Sequence, residues 1–120
     1  SQALIRNFDI IISMIGTIKP KWKFDEYLGE QLKRIAFVKG GEFTLSDVKN
    51  KLNDASYLNH LYHYENPTVT WNWDSFSDRM NRHIYRVVKS LGGDRSKVKR
   101  RWSYKLSPSL FSMHSKIYNN

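Results

Sequence analysis

Apolar side chains return at helical spacing through much of this chain, and each apolar run closes on a residue that a helix does not tolerate. Over residues 3–18, Leu4, Phe8, Ile11, Ile12, Ile15 and Ile18 form such a stripe, which predicts a helix ended by Pro20. Its isoleucines are β-branched, so a strand is the alternative there. Residues 24–38 carry a second stripe of Phe24, Leu28, Leu32, Ile35 and Phe37 or Val38. Acids lie early in it (Asp25, Glu26, Glu30) and bases late (Lys33, Arg34, Lys39), an order that complements a helix dipole. Gly40-Gly41 stops it. Residues 42–44 predict a short extended piece, and Thr44 or Ser46 caps a helix with Leu45, Val48 and Leu52 on its apolar face. Residues 54–71 are polar and rich in aromatics, hold His60 and His63, and are broken by Asn66-Pro67; a short helix is expected at about residues 56–62.

Residues 74–91 carry two stripes at once. Phe76, Met80, Ile84, Val87, Val88 and Leu91 are apolar, whereas Arg79, Arg82, Arg86 and Lys89 are basic, and Gly92-Gly93 closes the helix. From residue 97 to 106 the period becomes two. Val98, Trp102, Tyr104 and Leu106 alternate with Lys97, Lys99, Arg101 and Lys105, which predicts a strand, or a hairpin whose turn uses residues 92–96. Ser107-Pro108 ends it, and Leu110, Phe111, Met113 and Ile117 suggest a short closing helix.

With 120 residues, 40% of them hydrophobic, the chain is long enough for one domain over residues 1–120 with a core of its own. It has no cysteine, which excludes disulfides and thiolate metal sites. Beginning at Ser1, it reads as an excised domain or a processed chain. The longest apolar stretch, residues 4–18, is interrupted by Arg6, Asn7 and Asp9 and lacks a basic leader, so neither a membrane span nor a signal peptide is expected. A cytoplasmic (nucleoid) or nuclear location follows as the default.

Charge changes the picture most. The net charge is +9. Between residues 79 and 105 lie Arg79, Arg82, Arg86, Lys89, Arg95, Lys97, Lys99, Arg100, Arg101 and Lys105, against the single acid Asp94; elsewhere acids and bases cancel. An excess confined to one contiguous stretch points to a polyanionic partner, where a merely solvated surface would spread it.

The order helix, short strand, capped helix, loop, basic helix, basic β-ribbon resembles the winged helix-turn-helix. The resembling residues are 24–52 for the opening, 79–91 for the third helix and 95–106 for the wing. More narrowly, DRMNRHIYRVVKSLGGDRSKVKRRWSYKL is similar to the recognition helix and wing of response-regulator effector domains. The resemblance implies an α+β, mostly helical fold: a three-helix core with a C-terminal β-hairpin wing (residues 21–120), plus an extra N-terminal helix (residues 1–20). It implies double-stranded DNA binding, sequence-specific or structural, in transcription regulation or replication, and no enzyme activity.

A helix with one apolar stripe can pack on the core while its other stripe enters the major groove. The expected DNA contacts are therefore Arg79, Asn81 and Arg82 at base edges, with Asn81 reading adenine, and Arg86 and Lys89 nearer the backbone. Arg95, Lys97, Lys99, Arg100 and Arg101 of the wing are expected along phosphates or in a minor groove. Trp102 and Tyr104 either stack on bases of a single strand or pack the wing, and Trp71 and Trp73 either touch the DNA backbone or serve as packing. The helix N-terminus near Thr44 and Ser46 offers further phosphate ligands.

No nucleophile motif or glycine-rich phosphate loop is present. His60 and His63 have a ligand spacing, but no second half of a metal site accompanies them, and no metal or cofactor is expected. Two alternatives remain. IYRVVKSLGGDRSKVKRRW faintly resembles AT-rich-interaction domains, which would make the fold all-helical. From another class, a protein-interaction winged helix of a larger assembly would present its basic face to an acidic partner. The stripe of residues 3–18 would then serve as a docking or homodimer surface, and otherwise it completes the domain's own core.

Overall fold

The computed structural model describes residues 19–107. Over these the chain is α+β, with helices α1 (Phe24–Lys39), α2 (Leu45–Lys51), α3 (Ala55–Glu65) and α4 (Ser77–Ser90), and strands β1 (Glu42–Thr44), β2 (Asp94–Val98) and β3 (Arg101–Lys105). The strands form one antiparallel sheet in the order β1-β3-β2. The expected helix at residues 3–18 and the closing helix after Pro108 lie outside the described residues. The all-helical alternative is overturned by the sheet itself, in which β3 pairs on both sides.

Each element follows from its local chemistry. Helix α1 buries Phe24, Leu28, Leu32, Ile35 and Ala36 along one face and ends at Gly40, where the left-handed backbone (φ 77°) lets the Gly41 N–H return to the Ala36 carbonyl (2.8 Å). Thr44 ends β1 and caps α2 in the same step. Its hydroxyl accepts the Asp47 N–H, and the Asp47 carboxylate accepts the Thr44 N–H (2.9 Å), a reciprocal capping box. Burial pushes the Asp47 carboxyl up, but the Thr44 N–H and the nearby Lys39 ammonium outweigh it and hold the group below 3.8.

The aromatic-rich connection is more ordered than its composition suggests. Helix α3 occupies more of it than expected, from Ala55 to Glu65, and the rest is tied back onto that helix. Asn59 accepts the Trp73 N–H (2.8 Å) and donates to Asp74 (3.2 Å), while His63 bridges the Val69 carbonyl (3.1 Å) and the Asn72 side-chain amide (2.9 Å). These ties deliver the Trp73 ring into the core, where it is fully buried against Phe24 (5.6 Å between ring centres). Phe24 also meets Tyr62 and His83 edge-on, so one ring joins α1, α3, α4 and the loop. Trp73 is therefore a packing residue.

Gly92 and Gly93 have separate tasks. Gly92 takes a left-handed backbone (φ 86°) just past α4, and Gly93 lies so close to β3 that a Cβ would come within 2.3 Å of the Lys105 carbonyl oxygen. The pair is thus the joint between α4 and β2. The hairpin turn is instead Lys99-Arg100, both with positive φ (50° and 67°), a correction to the expected turn at residues 92–96. Glycine after the helix end suits a stop and a turn equally well in sequence; the close approach of Gly93 to β3 shows which it is.

Two stability predictions follow. Thr44→Ala removes the acceptor for the α2 N-terminus and is expected to destabilise the protein by about 1 kcal/mol, read as a lower midpoint in urea. His83 is held below its ordinary 6.5, first by burial against Phe24 and Tyr62 and then by the charge of Arg86, Asp25 alone opposing. The unfolded chain therefore takes up this proton first as pH falls. The contribution of His83 to stability is complete above about 6.5 and is lost as pH falls toward its folded value. The melting temperature of the wild type should drop by a few degrees between about pH 7.5 and about pH 5, and His83→Phe should flatten that drop.

Candidate nucleic-acid interface

The hairpin and helix α4 are the two walls of an open groove of about 870 Å³, with the start of α2 closing one end. Arg82 and Tyr85 line it from α4; Arg95, Lys97 and Trp102 from the hairpin strands; Arg100 and Arg101 from the hairpin's tip; and Lys49 from α2. The acid on its rim is Asp78.

The hairpin register explains how so much charge reaches one side. With a two-residue turn, Arg95 pairs with Tyr104, Lys97 with Trp102 and Val98 with Arg101. Paired residues point the same way, so Arg95 and Lys97 share a face with Trp102 and Tyr104. The expected segregation, with Lys97 opposite Trp102 and Val98 beside it, is corrected here. Alternation along one strand says nothing about what a turn brings next to it, and Val98 is 55% exposed on the far face.

The cations of residues 79–105 divide into two sets. Arg86 pairs with Asp25 of α1 (2.6 Å), Lys105 with Glu42 (3.1 Å), and Lys89 approaches Asp94 (3.9 Å). Arg79 lies over the Trp71 ring (3.9 Å) and near Phe76, away from the groove. Among the described residues, no carboxylate pairs with Arg82, Arg95, Lys97, Lys99, Arg100 or Arg101. The basic stripe of α4 thus does not act as one surface. Arg82 faces the groove, and Arg79 and Arg86 turn toward aromatic and acidic neighbours on its other flank.

Asn81, expected at a base edge, is engaged in the fold. Its side-chain oxygen accepts the Tyr104 hydroxyl (2.5 Å), and its backbone carbonyl lies 3.3 Å from the same donor. Burial pushes the Tyr104 hydroxyl up to about 12, against the opposing charge of Arg95, so it remains a donor. Trp102 is partly buried and carries both Arg95 (3.8 Å) and Lys97 (5.0 Å) against its ring, so its aromatic surface is engaged by cations. Thr44 and Ser46 border the groove, with the Thr44 hydroxyl committed to its capping box.

Lys49 and Tyr85 had no sequence signal. Lys49 sits on a short polar helix face and reaches α4 through a hydrogen bond to Ser77 (3.1 Å), and Tyr85 occupies the seam between the two stripes of α4. Among the described residues, no group of three or more His, Asp or Glu side chains could hold a metal ion, and no helix is long and apolar enough to cross a membrane. His63, half of the spacing that suggested a metal, is committed to Val69 and Asn72.

Asn81→Ala should act on stability. It strips a buried hydroxyl of its best acceptor and is expected to lower the unfolding free energy by about 1 kcal/mol, more than Tyr104→Phe, which leaves only a partly exposed amide for water to satisfy. Urea denaturation of the two variants measures the difference. Compared with known proteins, the chain matches no family model, no curated protein and no solved structure, so the groove has to be read from its own geometry.

Proposed function

We propose that this chain is a non-catalytic module that binds double-stranded DNA through the basic groove, in a winged-helix arrangement. In this reading α4 is the recognition helix, the β2–β3 hairpin is the wing, and the setting is transcription regulation or replication in a nucleoid or nucleus. The observation that carries it is the division of the cations: outside the groove Arg86, Lys89 and Lys105 meet acids, while among the described residues Arg82, Arg95, Lys97, Arg100 and Arg101 bordering it have no carboxylate partner. Leaving like charges unpaired at close quarters disfavours the folded state unless a polyanion meets them. The Lys99-Arg100 turn supports the same reading. A two-residue turn with positive φ at both positions favours Asn-Gly, and placing lysine and arginine there costs about 1–2 kcal/mol per residue. Strain retained at a charged tip is what a functional contact would explain.

Duplex is favoured over single-stranded DNA because Trp102, the hairpin aromatic that lines the groove, already holds two cations against its ring. Neutralising about six phosphates would give a slope of about −5 for log affinity against log salt.

The test removes three charges in two ways. Fluorescence anisotropy with labelled random-sequence duplex across a salt series is expected to show micromolar binding. Arg82→Ala/Arg100→Ala/Arg101→Ala should weaken it at least tenfold and flatten the slope by about 3, while Arg79→Ala/Arg86→Ala/Lys89→Ala, with equal loss of charge, should weaken it much less. Equal losses would show that net charge alone attracts the duplex; no binding at low salt would move the search to acidic proteins.

A further inference from the structure

Arg95 differs from every other cation bordering the groove in how it is held. Its guanidinium carbon lies 3.7 Å over the Tyr85 ring of α4 and 3.8 Å over the Trp102 ring of β3, so the two walls of the groove meet on one side chain. The Arg95 backbone is anchored on the β3 side as well. Its partner across the hairpin is the buried Tyr104, whose hydroxyl is tied to Asn81. Arg95 is only partly exposed, no carboxylate among the described residues pairs with it, and all three side chains of the arrangement line the groove.

We infer that Arg95 is the pre-positioned guanidinium of the groove, and that it takes a ligand offering two adjacent acceptor atoms. An arginine free in solution loses much rotamer freedom when it forms a two-point contact; here contact with two rings has already removed that freedom. Rings pack against the flat faces of a guanidinium, which leaves its N–H donors around the edge; part of that edge meets the Tyr104 hydroxyl, and the rest keeps the fork that matches two oxygens or an oxygen and a ring nitrogen. Two features of duplex DNA supply that pair, the O6 and N7 atoms of guanine in the major groove and the two non-bridging oxygens of a phosphate. The discriminating residue of the groove is then on strand β2, with Arg82, Lys97, Arg100 and Arg101 adding attraction that falls with salt. The inference rests on the nucleic-acid reading of the groove and commits to one residue and one contact geometry within it.

The experiment compares wild type, Arg95→Lys and Tyr85→Leu of the full chain, each checked by circular dichroism melting, on three probes: an alternating G·C duplex, an alternating A·T duplex and inorganic pyrophosphate. Arg95→Lys keeps the charge and loses the fork. It is expected to weaken duplex binding about tenfold with the salt slope unchanged, a combination that a purely electrostatic or purely structural role would not produce. Loss confined to the G·C duplex identifies the guanine edge, and equal loss on both duplexes and on pyrophosphate identifies phosphate oxygens. Tyr85→Leu keeps the guanidinium but removes one ring, and about a threefold loss is expected; should Arg95→Lys fail to fold, this variant decides. Binding of Arg95→Lys within twofold of wild type on every probe overturns the inference. If wild type ignores both duplexes but binds pyrophosphate, and Arg95→Lys does not, the duplex reading fails and the two-acceptor site stands. If wild type binds none of the three, both fall.

Discussion

The Tyr104 hydroxyl bond to Asn81 is the contact on which the basic groove of this molecule depends. Tyr104 lies on the central strand of the sheet, fully buried, stacked on Phe43 of β1 and paired with Arg95 of β2. Its hydroxyl crosses to helix α4. Whatever positions this ring positions all three strands against α4, and the gap between hairpin and α4 is the groove. Burial keeps the hydroxyl protonated up to about 12, so the bond holds throughout the pH range in which the protein would work. Gly93 serves the same joint by letting the chain pass within contact distance of β3 as it leaves the helix.

Around that joint, electrostatics sorts the cations by what each element finds beside it. Helix α1 brings Asp25 to Arg86, strand β1 brings Glu42 to Lys105, and β2 opens with Asp94 near Lys89. These are half-exposed pairs, each worth no more than about 1 kcal/mol. Their larger effect is to cancel charge on the flanks, so that the positive potential concentrates where the walls of the groove face each other. The loop before α4 contributes differently: its Trp71 ring, uncharged, holds the Arg79 guanidinium 3.9 Å over its face and outside the groove lining.

The core and the groove are linked through α4. Met80, Ile84, Val87 and Val88 bury its apolar stripe against the rest of the core, leaving Arg82 and Tyr85 on the groove side. A buried Trp73, held by Asn59 and backed by Phe24, fixes the loop that launches this helix. Burying a ring of that size is worth several kcal/mol, enough to order an otherwise polar connection. The direction of α4, and with it one wall of the groove, is therefore set by a buried residue that does not line the groove.

Much of this was written along the chain. The 3.6-residue stripes located α1 and α4, the Thr44 cap and the glycine pairs marked boundaries, and the run of cations after residue 79 marked the half that carries the charge excess, because periodicity, capping and charge are local properties. What periodicity could not decide was anything that depends on which residues meet. It grouped Arg79, Arg82 and Arg86 as one basic stripe, but Asp25, 61 residues away in the chain, takes Arg86, and Trp71 of the preceding loop takes Arg79. It offered Asn81 as a reader of adenine, and the fold ties its side-chain oxygen to Tyr104 at the groove's edge. Alternation set Lys97 against Trp102 until a two-residue turn at Lys99-Arg100 put them side by side. The sequence by itself determined the elements and the sign of the charge. The tertiary structure alone decided which cations stay unpaired and where they converge, because pairing and convergence are distances between residues far apart in the chain.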